Sequence, residues 1–252
     1  MAEFGIGNAV LALGLLMIPL AISWRQKLKL QKQLLIAALR AVFQLIVLAY
    51  LLAIAFSVPA FWPGFLVLSL LVAITTKLIT NRLSLDLPFL QVAIALVIST
   101  GLPLAYAVLV VIQPDPWFAP QYWVPLGSAL LAQALTVSAA ADGFGRSLQR
   151  SRSEIEAHLS LGATPAQAVR SSRQAALRAA MVPNLQQMAI AGLGNLPLFL
   201  SGQLIAGADP LNAILYELLL VLLLICSGSL SILLLCELVE HSSFTPQQQL
   251  KD

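Results

Sequence analysis

The chain has 252 residues, of which 59% are hydrophobic and 10% charged, with a formal net charge of +3 and a mean hydropathy of +0.89. A water-soluble domain carries about 25% charged residues and needs polar surface to cover its core, so this composition excludes a soluble globular fold and makes the bilayer the solvent. The small positive charge calls for no nucleic acid, because basic residues flanking membrane helices suit anionic lipid headgroups.

Taken in chain order, the apolar runs predict an all-α polytopic protein with seven transmembrane helices, at residues 4–23, 37–56, 61–78, 88–112, 122–141, 185–206 and 210–239. Each is near the roughly 20 residues that a helical span requires, and seven of them use about 140 residues. The remainder suffices for loops and one longer segment, so residues 1–252 read as a single transmembrane domain. The opening MAEFGIGN lacks the basic n-region of a cleaved signal peptide, and the first run is expected to be a true span.

Loop charge tests this division. The basic residues are Arg25, Lys27, Lys29, Lys32 and Arg40, then Lys77 and Arg82, then Arg146, Arg150, Arg152, Arg170, Arg173 and Arg178, and finally Lys251. On a seven-span path all 14 fall on one side. The positive-inside rule makes that side cytoplasmic and places the N-terminus outside, as expected of a multi-pass protein of the cell (inner) membrane. The opposite loops, 56–64 and 113–123, are rich in Pro, Trp and other aromatics, which halt helices and anchor at headgroup level.

Residues 142–183 form the one long polar segment. Ser153 and Glu156 have the spacing of a capping box, predicting a helix over 154–161 that Gly162 stops. Thr164, Pro165 and Gln167 repeat the signature and predict a second helix running to about Met181, where Pro183 ends it. Ala166, Val169, Leu177 and Ala180 share one face of that helix, while Arg170, Arg173 and Gln174 point elsewhere. Such a helix-turn-helix serves either as a solvated basic connector or as a docking element for a cytoplasmic partner.

The string Glu154-Ile155-Glu156-Ala157-His158-Leu159-Ser160-Leu161-Gly162-Ala163-Thr164 resembles the cytoplasmic coupling motif of ABC permeases. More of the chain resembles the FetB-type iron-export ABC permease family, whose plant relatives are linked to aluminium tolerance. The matching features are Arg40 with Gln44-Leu45, the coupling string, Arg178 with Val182-Pro183, Leu196-Pro197 with Ser201-Gly202-Gln203, Gly207-Ala208-Asp209-Pro210, and Tyr216. The resemblance implies two copies of the chain pairing in the membrane, with an ABC ATPase subunit docked beneath each. It assigns ATPase coupling to Glu154, Glu156, Gly162, Ala163 and Thr164, and export of a metal ion, iron, to the assembly. Two departures stand out. Leu198, Phe199 and Leu200 replace the methionines that follow the family's Leu-Pro, removing soft sulfur donors, and Ala132-Gln133 stands where the family often has Gly-Asn.

Several polar groups lie in the apolar runs. Asn195, Pro197, Ser201 and Gln203 in the sixth run and Glu217 in the seventh are candidates for a transport pathway, since polar and broken segments at membrane depth persist only where shielded or wet. Close helix packing explains the small residues of the sixth run equally well. Pro197 is expected to kink that helix and free a carbonyl one turn back. Cys226 and Cys236 fit apolar packing, and neither they nor His158 and His241 have metal-ligand spacing. No Gly-x-x-x-x-Gly-Lys-Ser/Thr loop occurs, so the chain is expected to be no enzyme, with ATP and Mg bound by the partner. Two other readings remain open: a self-contained transporter driven by an ion gradient, and a non-transporting membrane scaffold for a cytoplasmic partner.

Overall fold

The computed structural model describes residues 13–58, 60–190 and 196–245, and every regular element among them is a helix. Packing divides the chain into two compact units, Met1–Ser57 and Val58–Asp252. In the first, a short turn leads into α1 (Met17–Arg25), followed by α2 (Gln31–Ser57). The turn between them uses no glycine. Lys27 and Lys29 adopt left-handed conformations, with φ of 53° and 57°, while Leu28 N–H donates to the Ser23 carbonyl at 3.0 Å and Leu30 N–H to Ser23 Oγ at 3.2 Å. These bonds hold open a conformation that disfavours side chains by about 1–2 kcal/mol each.

The second unit contains α3 (Trp62–Arg82), α4 (Phe89–Tyr106, prolonged by the wide turn Ala107–Ile112), α5 (Pro120–Arg150), α6 (Arg152–Ser160), α7 (Pro165–Ala168), α8 (Arg170–Ile190), α9 (Leu198–Ile205) and α10 (Pro210–Ser243). Helices α5 and α10 are its axis. They pack on each other and each packs on α4 and α8, while α3 completes the α5 side and α9 the α10 side. Small residues make these approaches possible. A Cβ on Gly127 would stand 2.6 Å from Leu68 Cδ2, and one on Gly64 3.0 Å from Pro120 Cβ.

Five helices among the described residues are long and apolar enough to cross a membrane: Gln31–Ser57, Trp62–Arg82, Phe89–Ile112, Pro120–Arg150 and Pro210–Ser243. They correspond to the second to fifth and the seventh predicted runs. The first and sixth runs fall partly on residues 1–12 and 191–195, outside the described residues.

Four local expectations are corrected. The fifth helix does not stop near residue 141 but continues to Arg150, because Ala141, Phe144, Gly145 and Leu148 recur at helical spacing and are buried. The capping box at Ser153 and Glu156 does not form. Helix α6 begins at Arg152 with Ser151 as its N-cap, and the Glu156 carboxylate instead accepts from Arg152 Nε at 2.8 Å. Pro183 does not end α8, which runs on to Ile190. Ala176 and Ala180 are buried in the core before the proline, and Asn184 is tied to α5 just after it. The 185–206 run is not one kinked helix, because α9 starts afresh behind Pro197, whose ψ of 148° makes it an N-cap.

Two apolar clusters fill the unit. One joins Ile79, Leu83, Leu87, Leu96, Val137, Phe144, Leu148, Ile232 and Val239 with Ile155 of α6 and with Val169. The other joins Leu104, Val108, Trp123, Leu126, Leu130, Leu220 and Leu223. The first lies at the end that carries Arg82, Arg146 and Arg173, and the second at the end rich in proline and aromatics.

Candidate functional site

At the basic end, residues 151–170 form a tight and well-bonded turn. Helix α6 closes on Gly162, at φ +88°. Gly162 N–H donates to Leu159 O and Ala163 N–H to His158 O, each at 3.0 Å, which is the Schellman pattern. Thr164 then caps α7. Its hydroxyl accepts from Gln167 N–H at 3.4 Å while the Gln167 amide oxygen accepts from Thr164 N–H at 3.0 Å, with Pro165 at the first helical position. This second capping box forms as the sequence predicts.

Apolar anchors hold the turn. Ile155 and Val169 are buried and Leu159 and Ala168 pack against the same cluster, and fully burying a side chain the size of Ile155 or Val169 contributes about 1.5–3 kcal/mol. Val169 breaks the helix between α7 and α8, but Arg173 N–H still reaches its carbonyl at 2.9 Å. What remains outside is the tip: Leu161 is 85% exposed, and Glu154, Glu156 and Gly162 are exposed with it. Beside the tip, Glu154, His158, Gln167, Arg170 and Gln174 line a cleft of about 400 Å³.

Polar side chains tie this end of the bundle together. Arg173 on α8 meets Glu240 on α10 at 3.2 Å. The buried Asp142 carboxylate accepts from Ser84 N–H at 2.9 Å and pairs with Arg146 at 2.9 Å. Arg82 donates to the Leu135 carbonyl at 2.7 Å. Sequence reasoning overlooked Asp142 and the Arg173–Glu240 pair. An acid closing an apolar run, four residues before an arginine, was the available signal for Asp142.

Deeper in the bundle, polar groups occupy the level between the two apolar clusters. Ser231 Oγ donates to Ser99 Oγ at 2.9 Å, with both residues buried. Gln133 Nε2 donates to Asn184 Oδ1 at 3.0 Å, and Gly228 makes room for this pair, since a Cβ there would lie 3.0 Å from Gln133 Nε2. Ser227 Oγ is buried without a hydrogen-bond partner. Asn184 also went unrecognised in the sequence, where it stands between Pro183 and the start of the 185–206 run.

Of the pathway candidates, Asn195 lies outside the described residues. Pro197 is the N-cap of α9, Ser201 and Gln203 are half-buried on that helix, and Glu217 is only 9% exposed. Helix α9 folds back on the start of α10 through a second Schellman turn. Gly207, at φ +86°, and Ala208 send their N–H groups to Leu204 O and Gln203 O, each at 3.0 Å. Asp209 then caps α10 by accepting from Asn212 N–H at 3.1 Å. This hairpin brings the Glu217 carboxylate beside the Leu200 N–H at the start of α9, and the neighbouring Tyr216 lies beside Tyr122. The structure therefore gathers Pro197 and Glu217 at one place and the 154–164 turn at the other end of the bundle. Cys226 and Cys236 are free thiols, and no group of three or more His, Cys, Asp or Glu is placed to hold a metal among the described residues.

Membrane-length apolar helices packed around two long axial helices, with polar side chains sealed at mid-depth, define a polytopic helical membrane protein. The chain belongs to the family described as "Uncharacterised protein family (UPF0014)", whose model matches residues 6–244. It is 40% identical to the UPF0014 membrane protein slr1647 of Synechocystis sp., over 94% of this chain and 93% of that one. It is 30% identical to a protein of Escherichia coli named "Probable iron export permease protein FetB", over 99% of this chain and 97% of the relative. The Arabidopsis thaliana protein ALUMINUM SENSITIVE 3 is 26% identical, over 98% of this chain and 90% of its own length. No solved structure matches the chain.

Proposed function

We propose that the chain is the membrane-spanning permease of an ABC-type transporter that exports a metal ion, iron first among them, using ATP hydrolysed by a separate subunit. The supporting observation is the exposed turn at residues 154–164. It is rigid in its backbone, anchored by Ile155 and Val169, and carries Leu161 exposed at its tip. A solvated connector needs no such tip, whereas a partner's groove does. The name of the Escherichia coli relative supports the permease role and the metal.

In this reading the chain crosses the membrane seven times with its N-terminus outside, and the end bearing Arg82, Arg146 and Arg173 faces the cytoplasm. Two copies pair, and an ATPase docks beneath each. Closure of the motor presses on residues 154–164, and the push reaches α10 through the Arg173–Glu240 pair and α5 through the short link at Ser151. Glu156 and Gly162 are the most sensitive coupling positions, and Pro197, Ser201, Gln203 and Glu217 belong to the transport path.

The test is co-purification of the tagged chain with the candidate ATPase, comparing wild type with Glu156→Lys and Gly162→Trp while assaying ATP hydrolysis. Recruitment of an active ATPase by wild type, lost in both variants, is the expected result. A chain that purifies alone, or variants that recruit as well as wild type, would sink the reading.

A further inference from the structure

One face of α8 stays exposed and changes character along its length. Ser171, Gln174, Arg178, Val182 and Leu185 recur at steps of three and four residues, which places them on a single stripe about 21 Å long. With Met181 they line an open hollow of about 1070 Å³. Its first half is polar and carries one positive charge, and its second half is apolar. Val182 and Leu185 are 39% and 50% exposed, although the opposite face of α8 is buried through Ala176 and Ala180.

The Asn184–Gln133 bond fixes the depth of this stripe. Asn184 stands at the level between the two apolar clusters, so Leu185 is near mid-membrane and Arg178 lies about 9 Å nearer the basic end. The hydrocarbon core extends about 15 Å to each side of its middle, which puts the Arg178 backbone inside it. Ser171, about 20 Å from the middle, is at headgroup level. An unpaired cation at the depth of Arg178 is costly, yet Arg178 has no salt bridge or hydrogen bond among the described residues. Arg173 on the same helix is satisfied by Glu240.

We propose that this hollow holds an anionic phospholipid, with its phosphate on Arg178 and its acyl chains along Met181, Val182 and Leu185. The inference goes beyond the transport reading and needs only that α8 enters the membrane beside α5. Helical side chains lean toward the N-terminus, so the Arg178 guanidinium reaches from its backbone toward headgroup level. An arginine grips phosphate oxygens in a fork, and Gln174 and Ser171 add donors nearby. A zwitterionic lipid would cover the apolar half equally well, but its own cation would compete with Arg178 for the phosphate. A second copy paired through the same face would set Arg178 near its own twin. Basic pockets beside membrane helices are where acidic headgroups settle.

The experiment titrates the purified full-length chain, in neutral detergent, with phosphatidylglycerol or phosphatidylcholine and counts bound lipid by native mass spectrometry. Wild type should hold phosphatidylglycerol in preference to phosphatidylcholine. Arg178→Gln should weaken that binding about tenfold or more, the scale of a lost charged hydrogen bond. Val182→Trp keeps the charge but fills the apolar half, and should weaken it to a similar degree. Both positions are exposed, so melting temperatures should be unchanged. Arg150→Gln, at the exposed end of α5, should lower binding by no more than about fivefold, as for one arginine near an anionic surface. A wild type without preference, an Arg178→Gln loss no larger than that of Arg150→Gln, or full binding by Val182→Trp would overturn the proposal. A lipid-free wild-type dimer would overturn it too, and give the hollow to a second copy.

Discussion

Gln133 on α5 and Asn184 on α8 share a 3.0 Å hydrogen bond between their side-chain amides, at the level where the two apolar clusters of the bundle part. The bond joins the helix that leads into the cytoplasmic turn to the helix that leads out of it, and Gly228 of α10 lies against both amides. Three helices are thereby registered at one polar point, which lipid cannot replace.

Losing either amide should loosen this point. Gln133→Leu and Asn184→Leu should each lower stability by about 1–2 kcal/mol, because one partner is left unpaired in an apolar setting. A double-mutant cycle with alanine, read by denaturant unfolding in micelles, should give a coupling of about 0.6 kcal/mol, as is usual within membranes. Zero coupling would show that the amides do not pair.

A second expectation concerns the link between the turn and α10. The Arg173 and Glu240 side chains are 27% and 15% exposed, between the surface pairs worth about 0.2–1 kcal/mol and the buried pairs whose disruption costs about 3–5. Arg173→Glu should therefore destabilise the chain by roughly 1–3 kcal/mol, and Glu240→Arg in the same chain should restore most of it. In the assembled transporter Arg173→Glu should also reduce transport more than ATP hydrolysis, and the swapped pair should recover both. Unchanged transport in the single variant would exclude this pair from force transmission.

The turn itself can be dissected by two small changes. Thr164→Ala removes the hydroxyl that receives Gln167 N–H and should cost about 1 kcal/mol. Gly162→Ala should cost about 1–2 kcal/mol, the penalty of a left-handed conformation for a residue with Cβ. Both positions are exposed on the turn, but each change adds or removes only a methyl- or hydroxyl-sized group there, so ATPase recruitment should weaken chiefly as far as the turn frays, measured by amide hydrogen exchange over residues 154–168. Full recruitment with a frayed turn would mean that its rigidity is not what the partner reads.

Membrane character and most helix positions were legible because apolar runs of span length have few alternatives. Gly162, Thr164 and Gln167 were legible for a different reason, since caps are local and their partners lie within a few residues. The misreadings share the opposite property. Ser153 and Glu156 have capping spacing, but Arg152 competes for the same carboxylate. Pro183 has the look of a stop, yet α8 persists beyond it and Asn184 finds Gln133, 51 residues away in sequence. The extension of α5 through Phe144 and Leu148 depends on neighbours in α10 and in the α3–α4 turn. Glu217 was conspicuous as an acid in an apolar run, but its companion, the N-terminus of α9, exists only because Pro197 starts a new helix there.

Gly162 and Gly207, one at each end of the bundle, occur in the matching strings Gly-Ala-Thr-Pro and Gly-Ala-Asp-Pro, and a Cβ on either would meet no atom within 4 Å. Size therefore forbids nothing at these corners, and handedness alone does the selecting. A mirror-image alanine, for which positive φ is the natural basin, would sit at both corners without strain where its ordinary enantiomer would not, and would be expected to stiffen them. The two hairpins are thus constrained by chirality rather than by fit, and the space around each corner stays free for whatever approaches it.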